Sequence, residues 1–368
     1  MKIIYAHTTS VNYVRVKKNL DFFDSLGDEV IYYGAQREGQ EKDNVQELNK
    51  VYKNVIISYF KKTIPHGVKS VFYFLGYVVN LNKLIRKESP DVIIITNEEL
   101  YLSLLFGSGQ SRIVLDAIDA LDIRVNVNSF FRGMLKRFVK YVRKNVDCVV
   151  EVEEFRSLRF QNFTDKTKII RNTPFLIEEI NSRSDNDKGK RYIYASGSLN
   201  QDLNGIETLI RAVTYLNEEQ HGSVFLKIAG ILNGENLRAI VGKSKYVEFI
   251  GSVSFKQSLR IASNSVAMFA FYRPDRLNFI YAAPNKVYES FMLGKPILIN
   301  SECIISDFCL KMGNGYTSEF NNHINLANNI SGIYDSTDTK TYDSLVNDFK
   351  TNMCWDIEKY KWMEILYS

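Results

Sequence analysis

The residues best suited to chemistry stand within FAFYRPDRLNFIYAAPNKVYESFMLGKPILIN (269–300). An apolar strand is expected to end near Tyr272, with a polar loop after it. Pro284 suits the first turn of a helix, where its missing N–H is no loss. Gly294 suits the cap at the far end, and Pro296 blocks continuation. Lys286 and Glu289 are three apart and share one face of the first turn. Free N–H groups at the helix start, around Asn285 and Lys286, can hold a phosphate. One turn deeper, Glu289 can accept two hydrogen bonds from vicinal hydroxyls such as those of a ribose. Phosphate and ribose along one helix describe a nucleotide diphosphate. The same spacing also suits a plain surface helix whose Lys–Glu pair contributes a few tenths of a kcal/mol, and spacing alone favours that plain helix.

The elements that must position this helix follow an alternating order. KIIYAH, EVIYYG, Asn54 to Phe60, PDVIIIT, RIVLDAID, DCVVEVEE and KTKIIRN read as strands. Between them, Val11 to Leu26, Val68 to Lys87 and Phe130 to Lys144 show helical spacing, and Gly27 is a helix stop. The grammar restarts with RYIYASG, a helix Gly205 to Leu216, SVFLKIAG, YVEFIG, SVAMFAFY, the helix from Pro284 and KPILIN. Alternating strands and helices predict parallel sheets covered on both faces. The expected fold is α/β, with two doubly wound Rossmann-like domains facing across a cleft. Residues 1–172 form the first, 173–190 a polar linker, 191–352 the second, and 353–368 a final helix.

Composition removes several classes. With 368 residues, 45% of them apolar, the chain can fill two cores and is not disordered. The four cysteines and four histidines are scattered, so neither a disulfide framework nor a metal cluster is expected, and reduced thiols in a cytosol are. MKIIYAHTTS is too short in apolar residues for a signal peptide, and the run Val71 to Val79 is far below a membrane span. Through Arg171 there are 27 Lys and Arg against 20 Asp and Glu, a net of +7, whereas the rest nets −2. A phosphate-bearing or anionic-lipid partner would therefore prefer the first half. No nucleic-acid motif occurs, and no Gly-x-Gly-x-x-Gly follows the first strand.

PNKVYESFMLGKPILIN resembles the donor-binding segment of GT-B fold glycosyltransferases, in particular the bacterial group 1 or family 4-like enzymes. YVEFIGSVSFKQSLRIASNSVAMFAFY and YASGSLNQDLNGIETLIRAVTYL resemble the approach to that segment and the opening of the same domain. KIIRNTP resembles the close of the first domain, and CWDIEKYKWMEILYS the final helix that packs back on it. The resemblance implies transfer of a sugar from a nucleotide-diphosphate donor, as a substrate and with no cofactor or metal, to an acceptor hydroxyl. It further implies a lipid-linked glycan acceptor, in bacterial capsule, O-antigen or exopolysaccharide synthesis. Glu289 matches the second of two family glutamates, while Tyr281 stands at the first. Ser198 and Asn204 stand where many members carry a diphosphate-binding Arg and Lys. That leaves Lys286, Arg273 or Arg276 and the Gly197-Ser198 turn for the phosphates, with Tyr272 beside them and Ile250 and Val253 as weak base contacts.

If the reaction inverts, the acceptor hydroxyl needs a base. LDAIDALD places Asp119, and after it Asp116, at a strand end where carboxylates suit that task. They resemble the family's acidic segment there, and they also suit a turn. His7 ends the first strand and is a further candidate to line the cleft. SFFRGMLKRFVKYVRKN carries Arg132, Lys136, Arg137 and Lys140 among six basic residues, with Phe131, Leu135, Phe138 and Val142 on an apolar face. It suits docking on an anionic membrane, from the cytoplasmic side, as well as plain packing on a sheet. Two rival functions remain on the same fold, a nucleotide-sugar epimerase and a non-catalytic sugar-nucleotide binder.

Overall fold

The computed structural model describes residues 1–39, 43–67, 69–105, 107–125, 127–177, 191–335 and 340–368. The chain divides into two compact units, Met1–Asn172 with Lys359–Ser368, and Thr173–Glu358. Most of the expected linker, 178–190, lies outside the described residues.

The first unit holds β1 (Lys2–Ala6), β2 (Glu29–Gly34), β3 (Val55–Tyr59), β4 (Val92–Thr96), β5 (Arg112–Ala117), β6 (Cys148–Glu151) and β7 (Thr167–Ile169). They pair in parallel in the order β3-β2-β1-β4-β5-β6-β7. The inner strand VIIIT is buried at every position, as a strand covered on both faces must be. Helix Val14–Leu26 starts three residues later than expected, because Tyr13 is extended. It ends where Gly27 takes the left-handed conformation at φ 80°. Helices Lys69–Glu88 and Ser129–Asn145 place Tyr77, Leu81, Ile85 and Val142 in one core cluster, so both cover the same sheet face. Between them runs a short helix, Glu98–Leu104, that the sequence pattern did not reveal.

The second unit holds β8 (Tyr192–Asn200), β9 (Phe225–Asn233), β10 (Val247–Gly251), β11 (Ala267–Ala270), β12 (Ile297–Asn300) and β13 (Gly315–Ser318). Its parallel order is β10-β9-β8-β11-β12-β13. In each unit the order reverses beside the first strand, between β1 and β4 and between β8 and β11. Ligands of doubly wound sheets bind at the carboxyl ends of the strands flanking such a reversal.

The end of the chain is two short helices rather than one. Trp355–Glu358 stays with the second unit, where Trp355 N–H donates to the Pro174 carbonyl. Lys361–Tyr367 belongs to the first. There the buried Trp362 indole donates to Asn19 Oδ1 (3.1 Å) and meets Phe23 edge-on, and the Tyr367 hydroxyl donates to Asp28.

Candidate functional site

In the second unit, Pro284 is the residue just before the helix and Asn285–Leu293 forms it. Gly294 closes it at φ 57°; a Cβ there would lie 2.8 Å from Val346 Cγ2 and 3.0 Å from the Tyr342 carbonyl. No acidic residue occupies its first turn, so its N-terminal partial charge is unopposed on the helix itself. Lys286 Nζ donates to Glu289 Oε2 at 3.0 Å, and Glu289 is only 3% exposed. A carboxylate withdrawn this far from water needs a partner. Lys286 supplies one, on the face that the three-residue spacing predicts.

The loop after β11 is held to the end of β12 by a buried side chain that sequence reasoning missed. Asn300, the last residue of β12, accepts from Tyr272 N–H (2.7 Å) and donates to the Tyr272 carbonyl (3.0 Å). An amide side chain carries the acceptor and the donor that both groups of one backbone residue require. Burial raises the Tyr272 phenol well above its ordinary pKa, with the Glu289 charge adding to it, so Tyr272 stays neutral near Glu289. Arg273 N–H donates to the Leu203 carbonyl (3.0 Å), which ties the loop after β11 to the loop after β8. The Arg273 side chain turns to Asp275 (2.9 Å) and borders a cavity of about 490 Å³ with Arg211, Glu207 and Phe320. Neither Lys286 nor Glu289 lines that cavity. Arg276 sits over the Phe279 ring.

The expected Gly197-Ser198 turn is absent. β8 runs on to Asn200 and pairs with β9 through all nine residues, while β11 accompanies it only along Ile193–Ala195. The outer half of β8 is therefore a two-stranded ribbon. Gly197 and Gly230 pair within it at φ +124° and +116°, and a Cβ on Gly230 would lie 2.0 Å from the Gly197 carbonyl. Gly230 permits this close approach, and the positive φ at Gly197 favours glycine there, though a Cβ on it would meet nothing. Asn233 Nδ2 donates to the Ser198 hydroxyl (2.8 Å), and Asn204 Oδ1 accepts from Asn200 N–H (2.8 Å). Ile250 sits half-buried at a bulge in edge strand β10, and Val253 packs on the cluster around Tyr194 and Met268.

In the first unit the two candidate carboxylates part company. Asp116 is fully buried and takes three hydrogen bonds from Arg15, the shortest 2.6 Å, while Arg15 also donates to the Ile170 carbonyl. Both oxygens are engaged and out of reach of a substrate, so Asp116 is a structural anchor and not a base. Asp119 is one-third exposed and lies 3.4 Å from Arg156, which also donates to the Ile118 carbonyl. Its own N–H donates to Asn97 Oδ1 (3.0 Å). Asn97, just after β4, stands at φ 64°, ψ 158°, a region that side chains rarely adopt and that costs on the order of 1–3 kcal/mol. Such strain persists only where surroundings enforce it. His7, just after β1, is buried against the Tyr13 ring, with Nδ1 2.7 Å from the Thr9 hydroxyl and Nε2 without a hydrogen-bond partner among the described residues. Burial pushes its imidazole down to about 3, and the charges of Arg124, Arg15 and Arg37 add to that.

The basic helix also departs from expectation. Val139, Val142 and Arg143 are its buried residues, and Phe131 is exposed. Lys136, Arg137 and Lys140 are exposed, whereas Arg132 folds back to donate to the Val127 carbonyl (3.2 Å). Arg143 is buried between Glu151 (2.6 Å) and Glu98 (3.2 Å) over the Phe160 ring, because an interior guanidinium must be paired. The four cysteines are buried, and none forms a disulfide among the described residues.

Residues 177–350, most of the second unit, match the family of glycosyl transferases group 1. Among solved structures, the Anabaena protein HepE in complex with UDP-glucose superposes with a TM-score of 0.71 at 13% identity, covering 100% of this chain and 99% of that one. Sucrose-phosphate synthase from Thermosynechococcus elongatus gives 0.70 at 14% identity, covering 99% and 98%. The lipopolysaccharide outer core galactosyltransferase WaaB gives 0.66 at 13%, covering all of both chains. No curated protein matches in sequence. Two parallel doubly wound sheets of this kind make the fold GT-B. Residues 177–350 thus carry the match to the group 1 glycosyl transferases, and the chain as a whole shares the GT-B fold.

Proposed function

We propose that the protein transfers a sugar from a nucleotide-diphosphate donor to a hydroxyl of a lipid-linked glycan during assembly of a bacterial surface polysaccharide. The observation that carries the donor half is the buried Glu289 with Lys286 at 3.0 Å on a helix whose first turn holds no acid. Lys286 engages Glu289 Oε2, which leaves Oε1 for a ribose hydroxyl. Lys286 has two further N–H groups for the diphosphate, and the helix N-terminus adds to its field. Such fixed charges stabilise a departing diphosphate because it gains negative charge in the transition state. Arg273 would join them by exchanging its exposed Asp275 partner for a phosphate, with no metal called upon.

Asp119 is the base of this proposal, for an inverting reaction. It is the strand-end carboxylate left accessible, and the Asn97 and Arg156 contacts fix its loop. An ionised carboxylate there can accept the proton as the acceptor oxygen attacks. The lipid-linked acceptor is supported by the net +7 of the first 171 residues and by the exposed Lys136, Arg137 and Lys140 on helix Ser129–Asn145. This helix would rest on the inner face of the cell membrane. Among the described residues no helix is long and apolar enough to cross one. The structure of WaaB, a galactosyltransferase of lipopolysaccharide, supports the same kind of acceptor by fold likeness.

The direct test is a thermal-shift screen against UDP-, GDP-, ADP- and dTDP-sugars, followed by donor consumption with and without lipid-linked acceptor. A ligand specific for the native state raises apparent stability. Acceptor-dependent consumption is expected. Conversion of free donor without acceptor would establish an epimerase instead, and binding without turnover a non-catalytic binder.

A further inference from the structure

Helix Lys69–Glu88 has an unexplained outer face. Phe72, Leu75 and Val79 are exposed, Phe72 by 72%. With Asn82 they follow the spacing i, i+3, i+7, i+10, which is one stripe of a helix. Asn82 donates to the carbonyls of Ser103 (2.7 Å) and Gly107 (3.4 Å), so the stripe runs along the flank turned towards the short helix Glu98–Leu104. Helix Ser129–Asn145 carries a matching stripe, Phe130, Met134, Arg137 and Tyr141, at i, i+4, i+7, i+11, with all four exposed. Tyr141 meets the Tyr101 ring of that same short helix edge-on at 6.0 Å. Both long helices also pack on one sheet face. The two stripes therefore flank a single short helix, on one side of one unit, with exposed Leu105 just past its end.

The exposed charged side chains of the two long helices are all basic, while Glu98 and Glu99 of the short helix are taken up by Arg143 and Arg124. No Asp or Glu occurs between Glu47 and Glu88, a stretch with eight Lys and Arg, nor between Asp122 and Asp147, a stretch with seven. Lys69 and Lys83 are exposed on the first helix, Lys136, Arg137 and Lys140 on the second.

We propose that the two helices form one docking surface for an anionic phospholipid leaflet. Helix Lys69–Glu88 supplies the apolar insertion and helix Ser129–Asn145 most of the cations. This rests on the membrane reading of the basic helix and adds to it a second element that carries the hydrophobic part. A leaflet fits both properties, since acyl chains take the aromatic and aliphatic side chains while lipid phosphates meet the lysines and arginines. A second copy of the chain fits poorly, because a self-complementary twofold contact would bring cations against cations.

The experiment is vesicle flotation of the full chain on phosphatidylcholine containing phosphatidylglycerol. It compares the parent, Phe72→Ser/Leu75→Ser/Val79→Ser, and Lys136→Glu/Arg137→Glu/Lys140→Glu. Each triple is expected to lower partitioning more than tenfold, with the donor-induced thermal shift retained as proof of folding. Phe72→Trp should shift its emission to the blue on these vesicles and not on phosphatidylcholine alone. Parent-like flotation of the serine triple, with loss in the glutamate triple, would overturn this inference and leave the basic helix reading standing. Undiminished flotation of both triples would overturn both. A lipid-free dimer that the serine triple dissociates would assign the face to a second copy and overturn the lipid proposal.

Discussion

The carboxyl edges of the two sheets solve the same task in opposite ways. In the second unit the key pair, Lys286 and Glu289, is three residues apart on one helix, and nothing distant is needed to bring it together. In the first, the edge is assembled from afar. Arg15 reaches Asp116 across 101 residues, and Asn97 reaches the Asp119 N–H across 22. Two aspartates three positions apart thereby acquire opposite characters, one locked and dry, the other accessible. The difference shows that local spacing can reveal a contacting pair, whereas the fate of a strand-end acid depends on what another segment sends to meet it.

The largest expected effect tests the locked member. Arg15→Ala leaves Asp116 buried without its counter-charge and should cost about 3–5 kcal/mol, read as a lowered urea midpoint. A variant as stable as the parent would mean that Asp116 finds other solvation, and the contrast with Asp119 would shrink. Next, Asp119→Asn should reduce kcat by about a hundredfold or more while donor affinity holds. Unchanged turnover would put the base elsewhere. His7 sharpens the picture through pH. Its folded pKa, about 3, lies below the unfolded value near 6.5, so the unfolded chain takes up the proton first. Its linkage leaves stability unchanged above pH 6.5 and removes it as pH falls towards 3, by about 2 kcal/mol at pH 5. His7→Gln should flatten the stability profile between pH 6 and 4 by up to one proton, measured by urea titration at each pH. The smallest effect belongs to the local pair. Glu289→Gln should weaken donor binding about tenfold by calorimetry, roughly the 1.5 kcal/mol of a charge-assisted hydrogen bond. Equal affinity would remove the ribose role.

The same contrast explains how much the sequence disclosed. Strands such as VIIIT and AMFA announce themselves by unbroken apolar runs, and Gly27 and Gly294 mark helix ends as their φ values require. Lys286–Glu289 was legible because helical geometry converts spacing into contact. Asp116 was misread because the residue that neutralises it lies on another element, and a lone Arg15 in an amphipathic helix signals nothing. Asn97 and Asn300 were missed for a similar reason, since each acts by bonding a distant loop backbone. The strand end at Gly197 was misplaced because glycine usually marks a turn, yet here β8 continues past Gly197, and Gly230 opposite lets the two strands approach. On the basic helix, counting charges could not tell Arg143, bound inside, from Lys140, facing water.

The chain holds two tryptophans, and the late return of its last ten residues places one in each unit, Trp355 in the second and Trp362 in the first. Each lobe thus contains a private intrinsic fluorophore. Replacing either indole with phenylalanine would let the surviving emission follow the melting of one half alone, so that ligand effects on the two halves could be separated without adding a dye.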